Sequence, residues 1–210
     1  MAAVAVFCSA SERIDPEHLA LAARVGALLA ERGHSLVSGG GSLSMMGALA
    51  RAVRAAGGRT YGVIPAELLR LEVGDTGSDE LVVTDGMRER KGLMDAAADA
   101  FLVLPGGLGT LEELLEVWSA RALRLHAKPV VVCDPTGVLA PLRLAVEHLV
   151  DARFVAPAAA AQVRWSDDPR AAVALLEAEL AGAAAGRGAG QGAGGVPPAD
   201  RLQEGLEAQP

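Results

Sequence analysis

The stretch Leu104-Pro105-Gly106-Gly107-Leu108-Gly109-Thr110-Leu111-Glu112-Glu113 constrains the fold more than any other part of the 210-residue chain. It follows an apolar run, Ala100 to Leu104, that reads as a buried parallel strand. It precedes Leu114, Leu115, Val117, Trp118 and Leu123, an apolar pattern that reads as a helix. Strand, glycine turn and helix in succession aim free backbone N–H groups and a helix dipole at an anion. Two carboxylates fall in the first turn of that helix. A phosphate cradle with an acid beside it points to chemistry on a phosphorylated small molecule.

The rest of the chain repeats the alternation. Strands are expected at Ala3–Cys8, Ser35–Ser38, Thr60–Ile64, Leu81–Thr84, Ala100–Leu104 and Pro129–Cys133. Between them the spacing predicts helices from Pro16 (capped by Asp15) to near Gly33, over Met45–Ala56, over Met87–Ala98, from Leu111, and from about Leu139 to Val150. A last helix is expected over Asp168–Leu180. Continuous apolar strands alternating with helices imply a parallel sheet covered on both faces, a three-layer α/β/α domain. In such sheets ligands bind outside the carboxyl ends of the strands, where the loops Ser9–Glu12, Gly39–Gly47 and Pro105–Thr110 all emerge. From Gly182 the sequence is nearly all Gly, Ala and Pro, without apolar periodicity. The expected organisation is one domain over 1–181 and a disordered tail over 182–210.

Composition excludes several classes. Aromatic residues make up only 3% of the chain, so the core must be Ala, Val and Leu. The formal charge of −7 argues against a nucleic-acid binder, whose footprint is a basic stripe. Cys8 and Cys133 sit in apolar runs and read as buried thiols, and no His/Cys grouping has metal-ligand spacing. His18, His34, His126 and His148 are scattered and read as surface or helix-end residues. No run reaches the length of a membrane span and no leader precedes the first strand, so a soluble, cytoplasmic protein is expected.

Three constellations bear on chemistry. Gly39-Gly40-Gly41 follows a strand but misses the dinucleotide spacing, and no ribose-binding acid stands about twenty residues on. Thr110-Leu111-Glu112-Glu113 is a capping-box pattern, so Glu113 is read equally as a cap reaching back to the Thr110 N–H and as a catalytic carboxylate. Glu112 points elsewhere on that turn, toward solvent. Arg88, Arg90 and Lys91 concentrate cations at a helix N-terminus, where they oppose the dipole unless an anion sits between. The alternative is a solvated helix end.

Taken together, these segments resemble the Lonely Guy family of cytokinin riboside 5′-monophosphate phosphoribohydrolases, long labelled lysine decarboxylases. The resemblance runs from about Val4 to Leu180. It is carried by Pro-Gly-Gly-x-Gly-Thr-x-x-Glu at Pro105–Glu113 and by Glu89-Arg90-Lys91 about fifteen residues earlier. Gly62-Val63-Ile64-Pro65, Asp99-Ala100-Phe101 and Lys128-Pro129-Val130 add to it. It implies a Rossmann-like fold with a mainly parallel sheet. It also implies hydrolysis of the N-glycosidic bond of a nucleoside 5′-monophosphate, without metal or cofactor. Its catalytic pair falls on Arg90 and Glu113. Its substrate contacts fall on Glu72, Lys91, Gly106, Gly107, Leu108, Gly109, Thr110, Leu111, Glu112 and Ser119. A homodimer with helices of both subunits at each site is implied as well, and the wide stripe of Leu114, Leu115, Trp118 and Leu123 fits one. Ser44-Met45, Arg88 and Ser119 depart from the common pattern, as does the glycine-free loop Cys8-Ser9-Ala10-Ser11. These departures bear on base preference. A general purine nucleotide nucleosidase, acting on AMP, is a second reading. A non-enzymatic carrier resembling the molybdenum-cofactor carrier proteins is a third.

Overall fold

Apolar strands too short to stand alone assemble here into one seven-stranded sheet, every neighbouring pair parallel, in the order β4-β3-β2-β1-β5-β6-β7. The computed structural model describes residues 1–70 and 74–189, with side chains to residue 185. In chain order the elements are β1 (Ala3–Phe7), α1 (Pro16–Glu31), β2 (Ser35–Ser38), α2 (Ser44–Ala55), β3 (Thr60–Pro65), α3 (Ala66–Arg70) and β4 (Glu80–Thr84). They continue with α4 (Met87–Ala97), β5 (Ala100–Val103), α5 (Leu108–Ala122), β6 (Val130–Cys133), α6 (Ala140–Asp151), α7 (Pro157–Ala160), β7 (Val163–Ser166) and α8 (Pro169–Ala189). The expected three-layer α/β architecture is borne out.

Strand residues alternate between two cores, as a period of two requires. Val4, Val6, Leu102 and Leu104 pack with Leu21, Val25 and Leu29 of α1, Leu49 and Val53 of α2, and Leu176 of α8. Ala5, Phe7, Phe101 and Val103 face the other way, against Met94 of α4 and Leu114, Val117 and Trp118 of α5. Phe7 and Phe101 stack with centroids 5.7 Å apart.

Several expectations are revised. The edge strand β7 and the short helices α3 and α7 were absent from the sequence reading, and α8 continues to Ala189, past Leu180. Asp15 takes the N-cap position of α1, but its side chain makes no capping bond. His18 and His34 are buried, not superficial. His34 lies in the sheet's lower rim, its Nε2 3.2 Å from Glu177 of α8, a partner 143 residues away. Cys8 and Cys133 are buried free thiols, and burial pushes both thiols up.

Strand order places β1 between β2 and β5, so successive crossovers from β1 depart to opposite sides. That switch point opens a crevice at the strands' carboxyl ends. The three loops named from the sequence meet there. The Ser9 N–H donates to Pro105 O (3.2 Å), and the Ser44 hydroxyl donates to Ser11 O (2.5 Å). Ser44 holds φ at +49°, a conformation that favours glycine, at the position where glycine is common in the resembled family.

Candidate active site

The β5–α5 turn is built to leave its backbone open. Gly107 is the N-cap of α5, extended at φ −91° and ψ −154°, and no side chain caps the helix. Thr110 is therefore the third helical residue, and the capping-box reading of Thr110 and Glu113 is overturned. The threonine is buried and folds back beneath the turn. A Cβ on Gly106 would stand 2.1 Å from its Oγ1, so only glycine admits that packing. Gly107, Leu108 and Gly109 face solvent. Since the first N–H groups of a helix have no partner within it, those of this turn are presented outward at the positive end of the dipole.

Glu113 lies just beyond that first turn and turns inward. Its Oε1 accepts from Nη1 of Arg90 at 3.2 Å, and the Arg90 Nε donates to Val63 O of β3 at 3.1 Å. Both side chains are nearly enclosed, with Arg90 8% and Glu113 12% exposed. Burial pushes the Glu113 carboxyl above the ordinary glutamate range, and the charge and hydrogen bond of Arg90 pull it back only in part. A carboxylate poised in this way, in contact with a fixed cation at a crevice, has the character of a functional group rather than a cap.

Lys91, next on α4, points the other way. Its Nζ donates to Glu112 (2.5 Å) and lies 2.9 Å from Glu116, and these bonds raise its pKa. Glu112 is thus half-exposed yet paired, not simply solvated. Glu89 is spent locally, accepting from the Asp85 N–H at 2.9 Å and closing the β4–α4 turn.

Between α4 and α5 a cavity of about 450 Å³ opens beside Glu113. Phe7, Met94, Phe101 and Val117 give it apolar walls, and Arg88, Lys91, Glu116 and His126 a polar mouth. His126 is fixed by Val117 O at 3.0 Å and the Lys128 N–H at 3.2 Å, and burial lowers its pKa, so it lines the cavity as a neutral ring. A second cavity of about 470 Å³, bounded by His34, Asp99, Lys128 and α8, lies at the opposite end of the strands. It contains none of the residues expected at a site, whereas Lys91 and Glu113 both line the cavity between α4 and α5.

The structure thus brings together Arg90, Lys91, Glu112, Glu113 and the Gly106–Leu111 turn. Ser119 is exposed further along α5, outside the cavity lining. Glu72 lies outside the described residues. The sequence reading missed Glu116, although its spacing of four from Glu112 marks the same helix face. It also missed the Val63 carbonyl, for which no sequence signal exists.

Known proteins resemble this chain in sequence and in fold. Residues 46–176 match the family model described as possible lysine decarboxylase. A cytokinin riboside 5′-monophosphate phosphoribohydrolase of Mycobacterium tuberculosis is 51% identical over 156 residues, 74% of this chain and 83% of the relative. A protein of the same name from Arabidopsis thaliana is 41% identical over 74% of this chain and 72% of its own length. Among solved structures, a molybdenum cofactor carrier protein of Chlamydomonas reinhardtii superposes with a TM-score of 0.66 at 23% identity, covering 85% of this chain and 98% of that one. At that identity the likeness is one of fold. With a buried Arg90–Glu113 pair beside an open glycine turn, and a family model spanning more than half its length, the chain belongs to the possible lysine decarboxylase family, among relatives named cytokinin riboside 5′-monophosphate phosphoribohydrolases.

Proposed function

We propose that the protein hydrolyses the N-glycosidic bond of a nucleoside 5′-monophosphate, a cytokinin riboside 5′-monophosphate or AMP, to free base and ribose 5-phosphate. The observation that carries this reading is the enclosed Arg90–Glu113 pair one helical turn from the exposed backbone of Gly107–Gly109. The spacing suits a ribose between a 5′-phosphate and a carboxylate. The names of the relatives support the same chemistry.

In this mechanism the α5 N-terminus, from Gly106 to Thr110, holds the phosphate on its N–H groups and dipole. The C1′–N bond stretches and its electron pair leaves with the base, so positive charge grows at C1′ as in glycoside hydrolysis. Ionised Glu113 stabilises that charge, and Arg90 fixes the carboxylate and assists the departing base. Water adds its oxygen to C1′ and gives a proton to the base nitrogen, which closes the balance. The cavity between α4 and α5 offers apolar walls for the base. Lys91 contributes to anion binding only by exchanging Glu112 or Glu116 for the substrate, and Leu111, Glu112, Ser119 and Glu72 complete the proposed contacts.

The reading extends to a cytoplasmic homodimer whose catalytic domain is residues 1–181. No helix among the described residues is long and apolar enough to cross a membrane. Trp118 is satisfied within the chain, its Nε1 donating to Ala159 O at 2.8 Å, but Leu115 and Leu123 of the expected stripe stay exposed and are available to a second copy. Light scattering is expected to give twice the chain mass at micromolar concentration, and a monomer removes the dimer from the account.

The test of function is incubation with AMP and with isopentenyladenosine monophosphate, followed by assay of free base and ribose 5-phosphate. Release of both products from either nucleotide is expected. Their relative rates assign the preferred base. Nucleotide bound and recovered intact contradicts the enzyme and favours a carrier.

A further inference from the structure

We propose that Gly39 is a positioning residue for this reaction: the space left by its missing side chain is the seat of the Arg90 guanidinium, and that seat sets where Arg90 meets Glu113. The proposal rests on the reading of Arg90 and Glu113 as the reaction centre.

Gly39 follows β2, at the carboxyl end of the sheet, and is buried. Its φ is not in the left-handed region, so the backbone itself would accept an ordinary residue. The obstacle is spatial. A Cβ on Gly39 would lie 1.8 Å from Nη2 of Arg90, 2.9 Å from Cζ and 3.3 Å from Nε. All three nearest atoms belong to one side chain, which reaches this point from 51 residues further along the chain. The next residue differs in kind. Gly40 holds φ at +71°, and a Cβ there would meet Ile64 Cβ at 3.0 Å, Leu81 Cδ1 at 3.1 Å and the Val63 carbonyl carbon at 3.2 Å. Gly40 is required by the fold, whereas Gly39 is required by Arg90.

An arginine head that collides with a methyl group usually swings into solvent at little cost. This one is enclosed, tied through Nε to Val63 O and through Nη1 to Glu113. Three elements therefore fix one guanidinium: the end of β2 as its seat, a β3 carbonyl against its Nε, and the α5 carboxylate against its Nη1. A methyl group on the seat pushes the head off it and breaks at least one of those bonds. Glu113 then stays buried without its cation.

The experiment is Gly39→Ala in the full chain, assayed with AMP, with Gly40→Ala as the comparison and each repeated in an Arg90→Ala background. For Gly39→Ala kcat is expected to fall about a hundredfold, the scale of losing one preorganised electrostatic contact. KM changes little, because the α5 turn is untouched. The acid limb of the pH profile for kcat/KM moves to higher pH, since Glu113 loses the charge that pulls its pKa down. In the Arg90→Ala background the seat is vacant, so Gly39→Ala alters neither Tm nor the residual rate, while Gly40→Ala lowers Tm in both. Wild-type kcat with an unmoved acid limb overturns the proposal, as does a Tm loss from Gly39→Ala that is equal in both backgrounds. If Gly39→Ala alone fails to fold, recovery of folding by Arg90→Ala supports the seat, and failure of both variants overturns it. Normal turnover by Arg90→Ala instead removes the catalytic reading, and the Tm comparison still decides whether Gly39 seats Arg90.

Discussion

The two faces of the sheet are built to different standards. On the α1, α2 and α8 face, Leu21, Val25, Leu29, Leu49 and Val53 are fully enclosed and pack against Val4, Val6 and Leu102 of the sheet. On the α4, α5 and α6 face, an ion pair sits between the helices, a cavity opens beside it, and no residue of α6 is buried. Leu115, Leu123 and Leu144 are exposed there. The first face is packed to be stable. The second keeps charge out of water and apolar groups in it, which a chain does where something else must be accommodated.

This difference predicts that stability and turnover separate by face. The largest change in stability is expected for Leu29→Ala, which empties a fully buried site. Its cost is about 2–5 kcal/mol by denaturant unfolding. The kcat/KM of the folded fraction stays at the wild-type value, and a parallel loss of turnover breaks the comparison. Next in size, Lys91→Ala removes the cation that Glu112 and Glu116 share, and KM for AMP is expected to rise roughly tenfold with kcat nearly unchanged. A fall confined to kcat would move Lys91 into the chemistry. Smallest is Leu144→Ser on α6. A surface substitution of this kind shifts stability by at most about 0.5 kcal/mol. A larger loss, growing at higher protein concentration, would mean that a second copy covers α6.

The pH profile sharpens the contrast from the other side. Burial raises the Glu113 pKa, and Arg90 restrains the rise. If the ionised form is the active one, activity is lost as pH falls through that raised pKa. The acid limb of kcat/KM then lies above that of an ordinary glutamate, whose pKa is about 4.3. A limb at or below that value would show that Glu113 is not the group being read.

Much of the packed face and the places of six of the seven strands along the chain were legible because they rest on period and punctuation. Continuous runs such as Ala100–Leu104 and Val130–Cys133 can only be buried strands in this setting. The edge strand β7 escaped because Val163-Arg164-Trp165-Ser166 is short and half-exposed, and its character comes from pairing with β6. At the site, the residue types were legible and their partners were not. Thr110-x-x-Glu113 matches a capping box letter for letter, but Gly107 takes the cap and moves the helix start upstream. Glu113 is then left to a partner 23 residues away on another helix. The seat at Gly39 and the carbonyl of Val63 are further still, and no local pattern announces a contact that the sheet alone creates. His34, held by Glu177 of α8, is the same lesson at the other end of the strands.

The most direct test of the central claim is Glu113→Gln, assayed for release of ribose 5-phosphate from AMP together with equilibrium binding of the nucleotide. Glutamine keeps the length of the side chain and an oxygen that can accept from Arg90 Nη1, but it removes the negative charge. The account predicts a fall in kcat of roughly a hundredfold or more with AMP still bound, because the glycine turn of α5 is unchanged. Near-normal hydrolysis by the Gln variant would contradict the assignment of Glu113 as the charge-stabilising group and, with it, the reaction centre described for this chain.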